Sequence, residues 1–324
     1  MKTIFITGAT GLLGTNLILE LLAHEFNIKA LLRNPSRFVL PPHRNLELIQ
    51  GSLFDDLTQI ISNCDVVIHV AAETRQDLSR YEEYHKINCN ATVQLFNTAR
   101  LCNVKKFVFV STANTIGFGS ADVGGTEQDP ITYPFSGSNY AKSKQEAEDY
   151  LLANKEAIEV MIINPTFMLG EHDTKPSSGK IILMGWKKKI LFYPPGGKNF
   201  VHVKDVAKGI ISSLVNGKNG ERYLLANENL TYYEFFKRLN RLTNQNPLMI
   251  KVPRAVLIFT GFIGDLLKQA GFKTSLNSTN MRILCIHNFY SNQKSRRELE
   301  IEYTSCDEAI MDSVRYFQHK GLIR

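Results

Sequence analysis

Tyr140 and Lys144 stand four residues apart in Tyr140-Ala-Lys-Ser-Lys144, a spacing that puts both side chains on one face of a helix. A phenol has a free pKa of ~10, too high to exchange protons readily near neutrality, and an ammonium beside it favours the phenolate. Such a pair suits a proton passed to a carbonyl oxygen, or taken from an alcohol, as the carbon is reduced or oxidised. Thr112 closes the run Phe107-Val-Phe-Val-Ser-Thr112, and its hydroxyl is placed to hold that oxygen by a hydrogen bond. The spacing alone has little specificity, since Tyr233/Lys237, Tyr290/Lys294 and Tyr316/Lys320 repeat it. Position sets the first pair apart: it follows a strand that ends in two hydroxyls.

The elements that must position these groups begin at Lys2-Thr-Ile-Phe-Ile-Thr-Gly-Ala-Thr-Gly-Leu-Leu-Gly-Thr15. A β-rich run breaks at Gly8, and Gly8, Gly11 and Gly14 lead into Leu17-Ile-Leu-Glu-Leu-Leu22, apolar at helical spacing. Glycine serves a tight turn at Gly8, close approach to a pyrophosphate at Gly11, and helix-on-strand packing at Gly14. The phosphates of a dinucleotide then sit on the free N–H groups and positive end of the helix, with Thr10, Leu12 and Leu13 in the same cradle. The second strand, Asn27-Ile-Lys-Ala-Leu-Leu-Arg33, ends in arginine with Arg37 beyond it and no acid beside it. An acid at that position accepts from a free ribose 2′-hydroxyl, whereas a guanidinium forks onto a 2′-phosphate. NADP(H) is therefore expected over NAD(H).

Further strands are expected at Leu46–Gln50, Asp65–Val70, Lys106–Ser111 and Ile158–Asn164. Asp65-Val-Val-Ile-His-Val70 is apolar enough to be buried on both faces, which makes His69 a core residue, and Ala71-Ala72 keep the following turn small beneath a cofactor. A long helix from about Tyr81 to Cys102 carries Asn88, and another from about Ser138 to Leu152 carries Tyr140 and Lys144. This alternation implies an α/β fold: a doubly wound parallel sheet over residues 1–165, then a smaller, mainly helical substrate lobe over 166–324, with some later segments returning to the first domain. In that lobe Asp205 is expected to cap a helix through Val215, and Thr231 and Ser305 or Asp307 to cap later ones. Trp186 and Leu183-Met184 are read as lobe packing.

At 324 residues, 44% hydrophobic and 21% charged, the chain has the composition of an ordinary globular protein. No secretory or targeting leader is read at the amino terminus, and a cytoplasmic setting is expected. The five cysteines are scattered and nowhere CxxC, the pattern of reduced thiols without a zinc site. The net charge of +7 is spread. Its dense clusters, Lys187-Lys188-Lys189 and Lys294 with Arg296-Arg297, are not interleaved with aromatics, so a nucleic-acid partner is not expected. Residues 255–264 form the longest apolar run and are too short to span a bilayer. Core, a substrate lid and a membrane-contacting surface stay open for them, in that order; stable membrane insertion is not expected.

Taken together, Thr7-Gly-Ala-Thr-Gly-Leu-Leu-Gly14, Leu32-Arg33, Asp65-Val-Val-Ile-His-Val-Ala-Ala72, Ile87-Asn88, Phe107-Val-Phe-Val-Ser-Thr112, Tyr140-Ala-Lys-Ser-Lys144, Asn164-Pro-Thr166 and Phe200-Val-His-Val-Lys-Asp-Val-Ala207 resemble the extended short-chain dehydrogenases/reductases. Within the NAD-dependent epimerase/dehydratase superfamily, the chain most resembles the dihydroflavonol-4-reductase-like branch. The resemblance implies a Rossmann fold, catalytic roles for Thr112, Tyr140 and Lys144, and a fourth role for Asn88 in a water-linked proton relay. It also implies cofactor contacts from Tyr140 and Lys144, from backbone at Pro165, Thr166 and Phe167 to the nicotinamide, and from Ser52 and Leu53 to the adenine. Many relatives dimerise through the helices holding Asn88 and Tyr140, so a homodimer is a possible assembly. The family often has Asp at Ser52, Gly at Ala91, Arg at Asn164 and Tyr at Leu169.

The expected activity is interconversion of a ketone and a secondary alcohol by hydride transfer on a moderately hydrophobic small molecule. One rival is a nucleotide-sugar epimerase or dehydratase that retains NAD⁺ through its cycle. The other is a non-catalytic NADP(H) sensor, against which the intact Tyr140 and Lys144 count.

Overall fold

The computed structural model describes residues 2–78 and 80–323. Seven parallel strands form the central sheet: β1 (Thr3–Thr7), β2 (Asn27–Leu32), β3 (Leu46–Gln50), β4 (Val66–His69), β5 (Lys106–Val110), β6 (Glu159–Pro165) and, much later in the chain, β10 (Glu221–Leu225). Their order is β10-β6-β5-β4-β1-β2-β3. From β1 the chain steps outward through β2 and β3, then returns to β4 on the other side. The strand order therefore reverses between β1 and β4, the place where an open α/β sheet has its ligand crevice.

Period-two alternation explains why both faces are covered. Ile4 and Ile6 of β1 face α1 (Leu12–Ala23), packing with Leu17, Ile18 and Leu21 and with Val206 and Ile210 of α7 (Val203–Asn216). Phe5, between them, faces the opposite layer with Val67, Phe107 and Phe109. There it meets Leu95 and Phe96 of α4 (Ala91–Leu101) and Ala147 and Leu151 of α5 (Asn139–Ala153). The short α2 (Thr58–Ile61) closes that layer. The helix expected from Tyr81 to Cys102 is interrupted: α3 (Tyr81–His85) passes into α4 through a π turn over Lys86–Asn90. This turn carries Asn88, and single π turns are common where a side chain is re-aimed at a site.

The remaining segments build the second lobe around Phe200, Phe235, Phe236, Ile310 and Phe317. Its strands are β7 (Phe167–Leu169), β9 (Gly197–His202), β11 (Glu228–Thr231) and β13 (His287–Asn288), all paired on β9, while β8 (Ile190–Tyr193) and β12 (Leu248–Lys251) form a separate parallel ribbon. Its helices are α6 (Lys180–Gly185), α8 (Tyr232–Leu242), α9 (Arg254–Gln269), α10 (Ser278–Ile283) and α12 (Cys306–His319), while α11 (Gln293–Leu299) returns to the central sheet, Leu299 packing in the core of α7 and Ser212 Oγ donating to its carbonyl at 2.6 Å. Thr231 and Ser305 cap α8 and α12 as expected. Asp205 does not cap α7. The His202 side chain does, accepting from Lys204 N at 3.1 Å, while the Asp205 carboxylate accepts from Thr304 N at 2.7 Å and ties down the last loop. Sequence spacing could not choose between these two acceptors, three residues apart at one helix start.

Candidate active site

The three glycines at the carboxyl end of β1 answer to different constraints. Gly8 has φ +79°, and a Cβ there would lie 2.7 Å from Ala71 N. At Gly14 a Cβ would lie 2.1 Å from the Gly8 carbonyl oxygen, so helix and strand pack only without one. Gly11 differs: a Cβ would come no nearer than 3.5 Å, to Gly8 O, and the residue faces solvent beside exposed Thr10. No atom of the chain itself therefore requires glycine at this position. Gly11 is also the N-cap of α1, has no side-chain cap to offer, and no acid stands in the first turn. The first-turn N–H donors of buried Leu12, Leu13 and Gly14 are thus left for an anion, an arrangement that fits the diphosphate of a dinucleotide. Ala71 and Ala72 lie half-buried at the end of β4, across the reversal point, with Ala71 N donating to Thr7 Oγ1 at 3.2 Å.

Ser138 caps α5, its side chain accepting from Ala141 N, and the helix then aligns Tyr140, Lys144 and Glu148 at successive i,i+4 positions. The Thr112 hydroxyl faces the Tyr140 phenol and favours its ionised form, but burial outweighs this and pushes the phenol up to about 12. Lys144 is fully enclosed. Its ammonium donates to Val110 O at 2.7 Å and sits 4.0 Å from the centre of the Phe109 ring. Burial brings Lys144 down to about 7, against the opposing pull of the Glu148 carboxylate. The spacing predicts that Lys144 draws the phenol down; in the folded chain desolvation moves it the other way.

Glu148 was missed in the sequence. It is fully buried, accepting from Thr115 Oγ1 at 2.7 Å and Asn164 Nδ2 at 2.8 Å, with Arg222 Nε of β10 at 3.0 Å. Asn164 stands where the family often has arginine, and the guanidinium that meets Glu148 comes from β10. The i,i+4 column from Tyr140 was the available signal, but no sequence rule shows that Arg222 returns to it.

Asn88 is fully buried and clamps two elements. Its Oδ1 accepts from Glu73 N at 2.7 Å, and its Nδ2 donates to Glu73 O at 3.1 Å and Ser143 Oγ at 3.0 Å. His69 is a core residue. Its Nδ1 lies 2.7 Å from Thr7 Oγ1 and its Nε2 3.0 Å from Thr92 Oγ1, while Thr92 Oγ1 donates to Asn88 O at 2.8 Å. Each hydroxyl has one proton, so the consistent chain runs Thr7 to Nδ1, Nε2–H to Thr92, and Thr92 to Asn88. That requires neutral imidazole, in accord with burial, which lowers His69 to about 3.

At the carboxyl end of β2, Arg33 and Arg37 are both exposed, Arg37 closing the 3₁₀ turn Pro35–Arg37, and neither makes an ion pair among the described residues. Ser52 and Leu53 are half-buried in the turn after β3, where Ser52 N donates to Asp55 Oδ2 at 2.8 Å. On the substrate side, Pro165 ends β6, Thr166 Oγ1 donates to Asn199 Oδ1 at 2.7 Å, and half-buried Phe167 packs edge-on to Phe200. Lys198 was also missed. Its ammonium lies 5.0 Å from the centre of the Phe167 ring, burial lowers it to about 8, and it has no carboxylate partner among the described residues. His202 is occupied as a cap and by Asp312 Oδ2 at 3.1 Å, away from the Tyr140 column. Trp186 and Leu183 pack on the lobe core, but Met184 is exposed. His85, Cys89 and Glu146 place donor atoms within 4.8 Å of one another, and His85 and Glu146 pair at 3.3 Å.

Residues 4–226 match the NAD dependent epimerase/dehydratase family. The chain is 27% identical to a putative dihydroflavonol 4-reductase of Synechocystis sp., over 99% of this chain and 96% of the relative. It is also 27% identical to sterol demethylase protein B of Methylococcus capsulatus, over 99% and 100%. The crystal structure of gox2253 superposes with a TM-score of 0.85 at 26% identity, covering all of both chains. The chain belongs to the NAD-dependent epimerase/dehydratase family, as an extended short-chain dehydrogenase/reductase with dihydroflavonol-4-reductase-like relatives, and it is an NAD(P)-dependent enzyme acting on CH–OH groups.

Proposed function

We propose that this enzyme is an NADP(H)-dependent reductase that interconverts a ketone and a secondary alcohol on an apolar small molecule. The observation that carries the reading is the half-buried Tyr140 phenol, with Thr112 against it and Lys144 one turn along the same helix, bonded to Val110 O at the carboxyl end of β5. When bound, the nicotinamide supplies or accepts the hydride. A phenol raised to about 12 stays protonated at neutral pH, so Tyr140 is set to donate to a carbonyl oxygen. Thr112 donates the second hydrogen bond to that oxygen. Lys144, near 7 and sustained by Glu148, supplies positive charge beneath the phenolate that proton loss leaves. Asn88, bonded through Ser143 to the same helix, positions that face of the site. Gly8, Thr10, Gly11, Leu12, Leu13 and Gly14 would hold the diphosphate and Arg33 with Arg37 the 2′-phosphate. Ser52 and Leu53 would meet the adenine, and Ala71, Ala72, Pro165, Thr166 and Phe167 the nicotinamide half.

The apolar substrate class is supported by Phe167 at the site's edge and by relatives named for flavonoid and sterol chemistry. Tyr140→Phe tests the reading: turnover of a ketone panel with NADPH is lost while NADPH affinity is nearly unchanged. Parallel titration with NADPH and NADH tests the cofactor, with a preference of about tenfold or more for NADPH expected from charge-assisted hydrogen bonds. Tightly retained NAD⁺ with no NADPH preference would favour the epimerase reading instead.

A further inference from the structure

The 16-residue helix α9 is built inside out. Its packed stripe consists of Gly261, Gly264 and Asp265: a Cβ on Gly261 would lie 2.8 Å from Ser278 Cα, one on Gly264 1.6 Å from Leu276 O, and Asp265 accepts from Ser278 N at 3.2 Å. These three sit at i, i+3 and i+4, the spacing of one helical face. Gly261 and Gly264 are the buried residues of α9. The apolar side chains point the other way. Phe259 is 64% exposed, Phe262 56% and Phe272, just beyond the helix, 63%, with Val256, Ile263, Leu266, Leu267 and Leu276 exposed beside them. The core reading of residues 255–264 is therefore overturned.

The element just ahead in the chain repeats the pattern. In the β8–β12 ribbon, Ile190 pairs with Leu248 and Phe192 with Ile250, and all four are exposed, while Leu191 between them is buried. Exposed Lys187, Lys188 and Lys189 lead into that ribbon. Monomers rarely leave so many large apolar side chains on one element exposed to water without a partner for them.

Charge decides which partner. From Leu248 to Ile283 the chain has five cations, of which Lys251, Arg254 and Lys273 are exposed while Lys268 donates to Leu78 O and Arg282 sits over the Tyr133 ring, and one acid, Asp265, already bonded to Ser278. A second copy meeting this patch by two-fold symmetry would set cations against cations. An anionic bilayer surface meets both demands, taking aromatic and aliphatic side chains into the headgroup boundary and attracting the lysines and arginines around them. At 16 residues α9 is ~24 Å long by its rise, short of the ~30 Å hydrocarbon core, and among the described residues no helix is long and apolar enough to cross a membrane.

We propose that the outward face of α9, with the β8–β12 ribbon and Phe272, is a peripheral docking surface for anionic phospholipid bilayers. The proposal does not depend on the reductase reading. The test is flotation of the full-length protein with vesicles of phosphatidylcholine alone and of phosphatidylcholine mixed with phosphatidylserine. Binding is expected to the mixed vesicles, weakened by salt, and reduced about tenfold or more by the pair Phe259→Ser and Phe262→Ser. Lys251→Glu with Lys273→Glu should weaken binding to the mixed vesicles and leave thermal unfolding unchanged, which separates docking from folding. Failure to float, equal binding to neutral vesicles, or binding indifferent to the phenylalanine pair would each overturn the proposal. So would sedimentation showing a concentration-dependent dimer that the same pair dissolves, since the face would then be covered by a second copy.

Discussion

Arg222 Nε of β10 lies 3.0 Å from Glu148 Oε2 of α5, joining a strand from beyond residue 220 to the helix that holds Tyr140 and Lys144. The Glu148 side chain is wholly buried and Arg222 about one quarter exposed. Removing the guanidinium leaves a buried carboxylate short of its partner, so Arg222→Met should cost about 1–3 kcal/mol, the lower end reflecting Arg222's partial exposure. Glu148, already raised by burial, would rise further, and Lys144 would lose the charge that props it up. The alkaline limb of the activity profile should therefore move to lower pH while cofactor affinity holds. A pH profile identical to wild type would show that Glu148 is structural only.

Gly11 and Gly14 should fail in different ways when replaced by alanine. Gly14→Ala drives a Cβ into the Gly8 carbonyl oxygen, 2.1 Å away, and backbone must shift. Overpacking of this kind costs roughly 1–3 kcal/mol, readable in thermal unfolding. Gly11→Ala meets only ordinary contact at 3.5 Å, so the fold should keep its stability while isothermal titration shows cofactor affinity falling. Equal stability loss in both would remove the assignment of Gly11 to ligand approach.

Arg33 stands exposed at the end of β2 with no ion pair among the described residues. Arg33→Asp should reverse the cofactor preference, weakening NADPH by about 1–3 kcal/mol while NADH gains an acceptor for its 2′-hydroxyl. Fluorescence titration with both nucleotides measures it, and an unchanged ratio would place the 2′-phosphate elsewhere.

His69 makes the fold acid-sensitive. Its pKa is about 3 when folded, against an ordinary 6.5. Between those values the unfolded chain binds the extra proton, so stability is complete above about pH 6.5 and is lost as pH falls toward 3, at roughly 1.4 kcal/mol per pH unit where the two states differ fully. Urea melts at pH 7 and pH 5 should show this loss, and His69→Gln, whatever it costs at pH 7, should flatten the dependence. An unflattened slope would assign the acid lability to other groups.

Much of the framework around the glycine turn was legible in the chain because it is local. Gly8, Gly11 and Gly14 lie within seven residues, and the strands between Thr3 and Pro165 announce themselves by apolar runs and turn residues. Tyr140 and Lys144 share one helix turn, so a capped helix suffices to align them. The cap of α7 was harder, since His202 and Asp205 are both acceptors near one helix start, and only the position of Thr304, a hundred residues later, takes Asp205 away.

What the sequence by itself determined, then, is every feature written in short-range periodicity: the β/α alternation, the glycine turn, and the phenol and ammonium on one helical face. Tertiary structure alone decided the rest. It brought Arg222 to Glu148, left Lys198 beside Phe167 without an acid among the described residues, and raised Tyr140 by partly desolvating it. It also turned the apolar side of α9 outward. Desolvation depends on which distant segments close over a group, and a helix buries whichever face its neighbour fits. In α9 that face is Gly261 and Gly264, because only glycine lets the backbone of Leu276 and Ser278 come so near.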